Sequence, residues 1–415
     1  MVDFQLKFLK MISNKYRVNL KAIALSTVLF SAISSTPSQA ANITSLDFIG
    51  QATVATRTQF QGTEIGGLSG ITYNSHTNKY YAISDDRSTI NPARFYTLDI
   101  DLSSGSLTSS NINFTSVTNL TQPDDSVFAP NSLDPEGIAL LGNSIFVSSE
   151  GEVSSNRIIN PFINQFDLAT GQQIQALPIA NKFLPLPLTI PTERGIRNNL
   201  ALESLTITED RQYLFSATEN ALVQDGNEAS LTDGSPSRIL KYDLTTGQPI
   251  AEYLYQTEPI FSDSNPPGGF KTNGLVELLA LDNNGNCFLS MERAFAAGVG
   301  NSVKIYESCI GNATNIVNIP SLNANGTNDI TPVQKRLLLD LSTLGLKLDN
   351  LEGITFGSNL PDGRRSLIIV SDNNFSTSQE TQFLAFAVNQ TSVPEPSGIV
   401  GISMLVAWGW WKRRK

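Results

Sequence analysis

The sequence is poor in the side chains on which most hydrolytic and metal chemistry depends. Its 415 residues contain one histidine, His76, and two cysteines, Cys287 and Cys309. His76 stands in Asn74-Ser75-His76-Thr77-Asn78, a run of turn formers that reads as a surface turn, so the usual general base is scarce. This argues against a Ser-His-Asp triad and against a histidine-ligated zinc centre. Two cysteines cannot make a zinc site alone, and their spacing fits neither a CxxC redox pair nor haem attachment. No glycine-rich phosphate loop, HExxH or GxSxG motif occurs. Charge is also sparse at 16%, while 40% of residues are hydrophobic, which excludes a disordered, collagen-like or coiled-coil chain.

What charge there is has an uneven distribution. Nine of the 28 basic residues lie in segments 1–40 and 397–415, which leaves 19 basic against 36 acidic residues between them once Asp3 and Glu395 are set aside. A middle region near −17 disfavours nucleic acid as a partner and favours cations or solubility.

The two ends read as addresses. Lys7, Lys10, Lys15, Arg17 and Lys21 lead into the apolar run Ala22–Ile33, and Ser38-Gln39-Ala40 precedes Ala41. That order predicts a secretory signal over 1–40, cut after Ala40, and hence an exported protein; a buried amphipathic helix is the alternative. At the other end Val393-Pro394-Glu395-Pro396 precedes fifteen mostly apolar residues, Ser397–Trp411, and then Lys412-Arg413-Arg414-Lys415. The run is short against the roughly 20 residues of a spanning helix, although tilt or bilayer thinning accommodates it. The basic cluster stays on the cytoplasmic side. This tail, 392–415, resembles the PEP-CTERM sorting signal of bacterial envelope proteins. The resemblance implies membrane contact before processing by an exosortase-type enzyme, then release or attachment at the cell envelope. A plain C-terminal anchor is the alternative.

The middle, 41–391, contains one pattern five times: a short apolar strand with a Glu or Ser, a turn, and a second strand ending in acids. The copies are Gly67–Ile71 with Tyr80–Asp86, Asp134–Ile138 with Ile145–Glu150, Ala201–Leu205 with Tyr213–Glu219, Leu275–Leu279 with Cys287–Glu292, and Asn350–Ile354 with Leu367–Asp372. Positions 69, 136, 203, 277 and 352 recur at 67, 67, 74 and 75 residues. A near-constant period of that size, filled with β-branched and aromatic alternation, predicts an all-β radial array, a β-propeller, in preference to paired β-sandwiches. Third strands are expected at Arg94–Ile100, Ile163–Leu168, Arg238–Leu244, Val303–Glu307 and Gln382–Val388, and fourth strands at Gln173–Pro178 and Ile250–Tyr255. The fifth repeat runs out without a fourth strand, so Ile43–Val54 is predicted to pair with Gln382–Val388 and close the ring, removing two sheet edges. A sixth, diverged blade in 105–132 or 310–340 stays open. Cys287 and Cys309 fall on neighbouring strands of the fourth repeat, where an exported protein could pair them; the alternative is two small buried hydrophobes.

In a propeller the first strands line the central channel, so equivalent residues converge. Repetition places Glu136, Glu203, Glu277 and Glu352, with Ser69, around one axis. The acids closing the second strands, Asp85, Asp86, Glu150, Glu219, Glu292 and Asp372, make another ring toward one end. So many like charges repel and raise each other's pKa unless cations are present, and hard oxygen ligands suit Ca²⁺. The alternatives are that these acids cap strand ends or pair with bases, or that the Glu residues bond backbone amides between blades. Arg194, Arg197, Lys271 and Lys347 precede first strands, and Arg87, Arg94 and Arg293 lie near the ends of second strands or just after them. They could form an anion site beside the acids or ion pairs between blades.

Three segments, Asp134-Pro135-Glu136-Gly137-Ile138, Arg197-Asn198-Asn199-Leu200-Ala201-Leu202-Glu203-Ser204-Leu205 and Asn350-Leu351-Glu352-Gly353-Ile354, resemble the phytase-like propeller family, "esterase-like activity of phytase". Many members carry an Arg-x-Asn-x-Gly-x-Glu-Gly-Leu segment. Here Ser204 stands at the second of its glycines, while Thr272-Asn273-Gly274-Leu275-Val276-Glu277-Leu278 keeps a glycine before its Glu. The likeness spans most of 45–390 and implies a secreted propeller with Ca²⁺ sites that hydrolyses a small ester or phosphoester. Carried onto this chain, it implies calcium held by Glu136, Glu203, Glu277 and Glu352, with Arg197, Lys271 and Arg87 aiding substrate binding and Glu203 at the centre of catalysis. Metal activation of water would make histidine unnecessary. The competing readings are a non-catalytic envelope binding module stiffened by calcium and a lactonase-like propeller.

Overall fold

The computed structural model describes residues 43–187, 193–327 and 329–391; the expected secretory and sorting segments lie outside the described residues. The main strands form five four-stranded antiparallel sheets, the blades. Blade 1 runs outward through Leu68–Asn74, Lys79–Ser84, Arg94–Ile100 and Ile112–Asn119. Blade 2 comprises Pro135–Leu141, Ser144–Ser149, Phe162–Asp167 and Gln173–Ala176, and blade 3 Leu202–Ile207, Tyr213–Thr218, Pro236–Asp243 and Gln248–Gln256. Blade 4 comprises Lys271–Ala280, Cys287–Ala296, Gly300–Cys309 and Gln334–Asp340. Blade 5 takes Asn350–Asn359, Arg365–Asp372 and Thr381–Gln390, and its outer strand is Ile43–Val54 from the other end of the chain.

Ring closure is as the missing fourth strand predicts: Ile43–Val54 pairs antiparallel with Thr381–Gln390, from Ile43 opposite Gln390 to Val54 opposite Thr381. The protein is a five-bladed propeller, because the two long inserts are used up inside existing blades. Segment 105–132 supplies the outer strand of blade 1, and 310–340 supplies that of blade 4 together with a short helix, Leu322–Asn325.

Period-two alternation explains how flat sheets become a ring, since both faces of each middle strand are apolar and each faces a different neighbour. In blade 1, Tyr80 and Ala82 pack toward blade 5, while Tyr81 and Ile83 pack toward blade 2. In blade 2, Ile145 and Val147 face blade 1 and Phe146 faces blade 3. Five apolar clusters result, one at each blade interface, and together they are the core. Two hairpins turn in the same way: Asp167 accepts from the amides of Ala169 and Thr170, Asp243 from those of Thr245 and Thr246, and Gly171 and Gly247 take φ of +75° and +67°.

At the axis the first strands come so close that side chains are excluded. A Cβ on Gly70 would lie 2.6 Å from the carbonyl of Glu136, and one on Gly137 would lie 2.8 Å from that of Glu203. Cys287 and Cys309 face each other across blade 4 and form a disulfide with Cα atoms 4.1 Å apart.

Candidate functional site

Every first strand carries a β-bulge at the same height, where the ladder skips between Leu68 and Gly70, Pro135 and Ile138, Leu202 and Ser204, Leu275 and Glu277, and Leu351 and Gly353. Bulges re-aim side chains out of the pleat, and the residues at these bulges are Ser69, Glu136, Glu203, Val276 and Glu352. Glu136, Glu203 and Glu352 line a cavity of about 920 Å³ at one end of the channel. On each second strand the residue that follows the partner of the pre-bulge position forms the next layer: Asp85, Glu150, Glu219, Arg293 and Asp372. Equivalent backbone bonds hold three of them, from the amide of Asp85 to the carbonyl of Gly67, Glu150 to Asp134, and Glu219 to Ala201.

Blade 4 departs from the sequence expectation by one residue. Its bulge holds Val276, which packs into the core between blades 4 and 5, so Glu277 falls where the other blades have Gly70, Gly137, Ser204 and Gly353. Glu277 is buried and turns to blade 3, accepting from the amides of Leu205 and Leu278 at 2.9 and 3.0 Å. Glu292 slips likewise. It accepts from Tyr255 Oη, Lys335 Nζ and the amide of Glu258 between blades 3 and 4, and Arg293 takes its place in the mouth. Ser69 donates to the carbonyl of Glu136 at 2.9 Å. The structure therefore brings together Glu136, Glu203, Glu352, Asp85, Glu150, Glu219 and Asp372, and places Glu277 and Glu292 elsewhere.

The carboxylates converge tightly. One oxygen each from Asp134, Glu136 and Glu150 lies within 4.8 Å of the others, and the same holds for Glu150, Glu203 and Glu219. Glu150 belongs to both groups. Burial is the main cause of high pKa here, reinforced by neighbouring carboxylates: Glu150 is pushed up to about 8, and Glu136, Glu203, Asp85 and Glu352 are raised well above the usual range. Burial also lifts Glu219 and Asp134 to about 7 against the pull of Arg293 and Arg87 respectively, and lifts Asp372 to about 6. Asp86 is the exception. It accepts from Arg94 at 2.8 Å and from the amides of Thr89, Ile90 and Asn91, which hold it below the usual range despite burial.

The donor set fits a hard cation. Glu219 is 2% exposed, yet its Oε1 makes no hydrogen bond and has only Arg293 at 3.9 Å; Asp85 Oδ1 is likewise without a hydrogen-bond partner. Glycines make room for both: a Cβ on Gly274 would lie 2.3 Å from Glu219 Oε1, and one on Gly67 would lie 1.9 Å from Asp85 Oδ1. Buried carboxylates with open lone pairs are costly unless a cation or a proton fills them.

Most of the expected bases are committed to structure. Arg197 binds the carbonyls of Ala221 and Gly226 and pairs with Glu228, and Lys271 pairs with Asp263 at 2.9 Å; neither lines the cavity. Arg87 does line it, bound to Asp134 and, at 2.9 Å, to Asn199. Arg293 spans Glu352 at 2.9 Å and Glu219, and its Nε is a buried donor with no acceptor. Asp134 and Arg293 are the participants that the repeat reading did not assign as ligand and mouth residue. Aligning blade 4 on Leu275, one residue earlier, would have found Arg293. His76 lies at the opposite end of the channel, in an exposed turn lining a second cavity of about 920 Å³.

Bulge, ring and acidic mouth together define a propeller with a metal-ready channel end. The chain belongs to the phytase-like family, described as "Esterase-like activity of phytase", which it matches over residues 63–375. No curated protein matches it. Among solved structures it is similar to the Dos1 propeller, at 9% identity over 85% of this chain and 94% of that one with a TM-score of 0.34. It is also similar to a putative 6-phosphogluconolactonase from Bacteroides uniformis, at 10% identity over 84% and 95% with a TM-score of 0.28.

Proposed function

We propose that this chain is an exported, calcium-assisted ester hydrolase that works in the acidic mouth of its propeller. The observation that carries the reading is the buried convergence of Glu150, Glu203 and Glu219, joined through Glu150 to Asp134 and Glu136, with one Glu219 oxygen left open. All-oxygen donors suit Ca²⁺ over softer metals. When bound, calcium supplies Lewis-acid polarisation of the ester oxygen and offsets charge that develops there.

The chain's own groups do the rest. Glu203 and Glu136, held by their bulges, and Glu150 and Glu219, at the ends of second strands, fix the ligand oxygens on a rigid sheet end. In the metal-free protein burial lifts Glu219 to about 7 and Glu150 to about 8, so calcium enters these ligands in exchange for protons near neutral pH. Arg87 and Arg293 line the cavity wall and hold Asp134 and Glu352 in place there. Arg197 and Lys271 act at a distance, by holding loops. The family description supports the reaction class, and the Cys287–Cys309 disulfide supports an oxidising compartment. Export through the N-terminal signal and maturation of the PEP-CTERM-type tail by an exosortase-type enzyme complete the proposal.

The test is hydrolysis by the purified full chain of a panel of carboxyl, phosphate and lactone esters with and without Ca²⁺. Glu203→Ala is expected to lower calcium affinity and turnover together, and both unchanged would refute the reading. Calcium binding with no turnover of any ester would make the mouth a structural cation site in a binding module.

A further inference from the structure

The cavity is built in two layers of opposite character. Its floor is charged, with eight carboxylate side chains against three bases, Arg87, Arg293 and Lys347, among the lining residues. Arg87 and Arg293 are already paired with Asp134 and Glu352, and among the described lining residues only Lys347, exposed at the rim, has no carboxylate partner. Above the floor one wall is apolar. Phe270, 69% exposed, packs against Phe295 with ring centroids 6.1 Å apart, and Val299 and Leu346 continue the surface. Phe375 also lines the cavity. Among the described residues Phe270 has the largest exposure of the large apolar side chains, and in solution that surface is unfavourable until something covers it.

We propose that the substrate is an uncharged carboxylic ester with an apolar acyl chain, the chain lying on the Phe270–Phe295–Val299 wall and the ester group reaching the acidic floor. This rests on the hydrolase reading above and names its substrate class. A polyphosphorylated substrate is the opposite choice, and charge decides against it. Asp134 and Glu150 bring the mouth to ten carboxylates, of which Arg87, Arg94, Arg293, Lys347 and two divalent cations would offset eight, and among the described lining residues both arginines are already held by carboxylates. The volume, about 920 Å³, accommodates a ligand of drug-like size. In the reaction the oxygen of water bonds to the acyl carbon, the acyl carbon–oxygen bond to the alcohol breaks, one of the water's protons goes to the departing alkoxide and the other to solvent, and the acid leaves as carboxylate.

The experiment measures kcat/KM of the full chain, with Ca²⁺, on p-nitrophenyl acetate, butyrate, hexanoate and octanoate, and on p-nitrophenyl phosphate. Each methylene covered by the wall should raise kcat/KM by up to about fourfold. Phe270→Ser, at an exposed position, should flatten that slope, while Phe261→Ser, exposed and outside the cavity, should leave it intact. Equal turnover of acetate and octanoate, or phosphate faster than either, overturns the substrate class and leaves ester hydrolysis standing. If no ester is cleaved, the hydrolase reading fails, and calorimetry with uncleavable octyl p-nitrophenyl ether decides the wall by itself. Binding lost in Phe270→Ser supports an apolar ligand there, and absence of binding overturns it.

Discussion

Replacing Glu219 by glutamine should stabilise the metal-free protein and weaken its hold on calcium. Glu219 has an ordinary pKa near 4.5 and is lifted to about 7 in the fold, because burial outweighs the attraction of Arg293. A raised carboxyl pKa means that the native state binds the proton more tightly than the unfolded chain. The contribution of Glu219 to stability is therefore greatest below about 4.5, falls as pH rises to about 7, and stays at the lower level above it. The loss amounts to about 3 kcal/mol for this one group. Glutamine cannot ionise and escapes it, so at pH 8 in chelator the variant should be more stable by up to about 3 kcal/mol, and at pH 4 the two proteins should match. For a domain of this length that corresponds to a melting temperature roughly 4 °C higher. In millimolar calcium the order should reverse, because the variant has lost a ligand. Thermal or urea unfolding at pH 4 and pH 8, each with calcium and with chelator, measures all four corners. A variant less stable than the parent at pH 8 in chelator would refute the reasoning, since Glu219 would then be a satisfied partner of Arg293 and not an open ligand.

Other outcomes follow from the same geometry. Gly274→Ala should lower calcium affinity by displacing Glu219, whose Oε1 would lie 2.3 Å from the new Cβ, and calorimetry checks this. Glu277→Gln should leave calcium affinity unchanged, because its side-chain oxygen can still accept from the amides of Leu205 and Leu278; a tenfold loss would return Glu277 to the metal site. Arg293→Ala should destabilise the metal-free protein by about 3 kcal/mol, as it removes the cationic partner of the buried Glu352 and leaves it the Asn350 amide alone, and denaturant unfolding in chelator measures it. Reducing Cys287–Cys309, which closes a 22-residue separation, should cost about 3 kcal/mol of stability, read from melts with and without reductant.

The propeller was legible because its repeat is spaced by constant strand and turn lengths, and ring closure followed from a missing outer strand in the last repeat. The long inserts hid the outer strands of blades 1 and 4, Ile112–Asn119 and Gln334–Asp340, because such strands pair on one edge only and carry a weaker alternation. The acids of four blades were legible by the same spacing. Blade 4 was not, since its motif is matched by letter at Glu277 and Glu292 while the bulge sits one residue earlier, and bulge position depends on pairing between strands. That slip exchanged Glu292 for Arg293 and gave the mouth a cation of its own. The Phe270–Val299 wall was invisible for a different reason: it gathers residues that flank a hairpin and a loop between blades, and no period relates them.

The central claim is that the acidic mouth holds calcium and uses it to cleave an ester. The most direct measurement is the rate of p-nitrophenyl butyrate hydrolysis by the full chain as calcium is raised from chelated to millimolar, set beside calorimetric binding on the same sample. The account predicts a rate that rises from baseline and saturates with the midpoint of binding, and that stays at baseline in Glu203→Ala. A rate that is as fast in chelator as in calcium would contradict it.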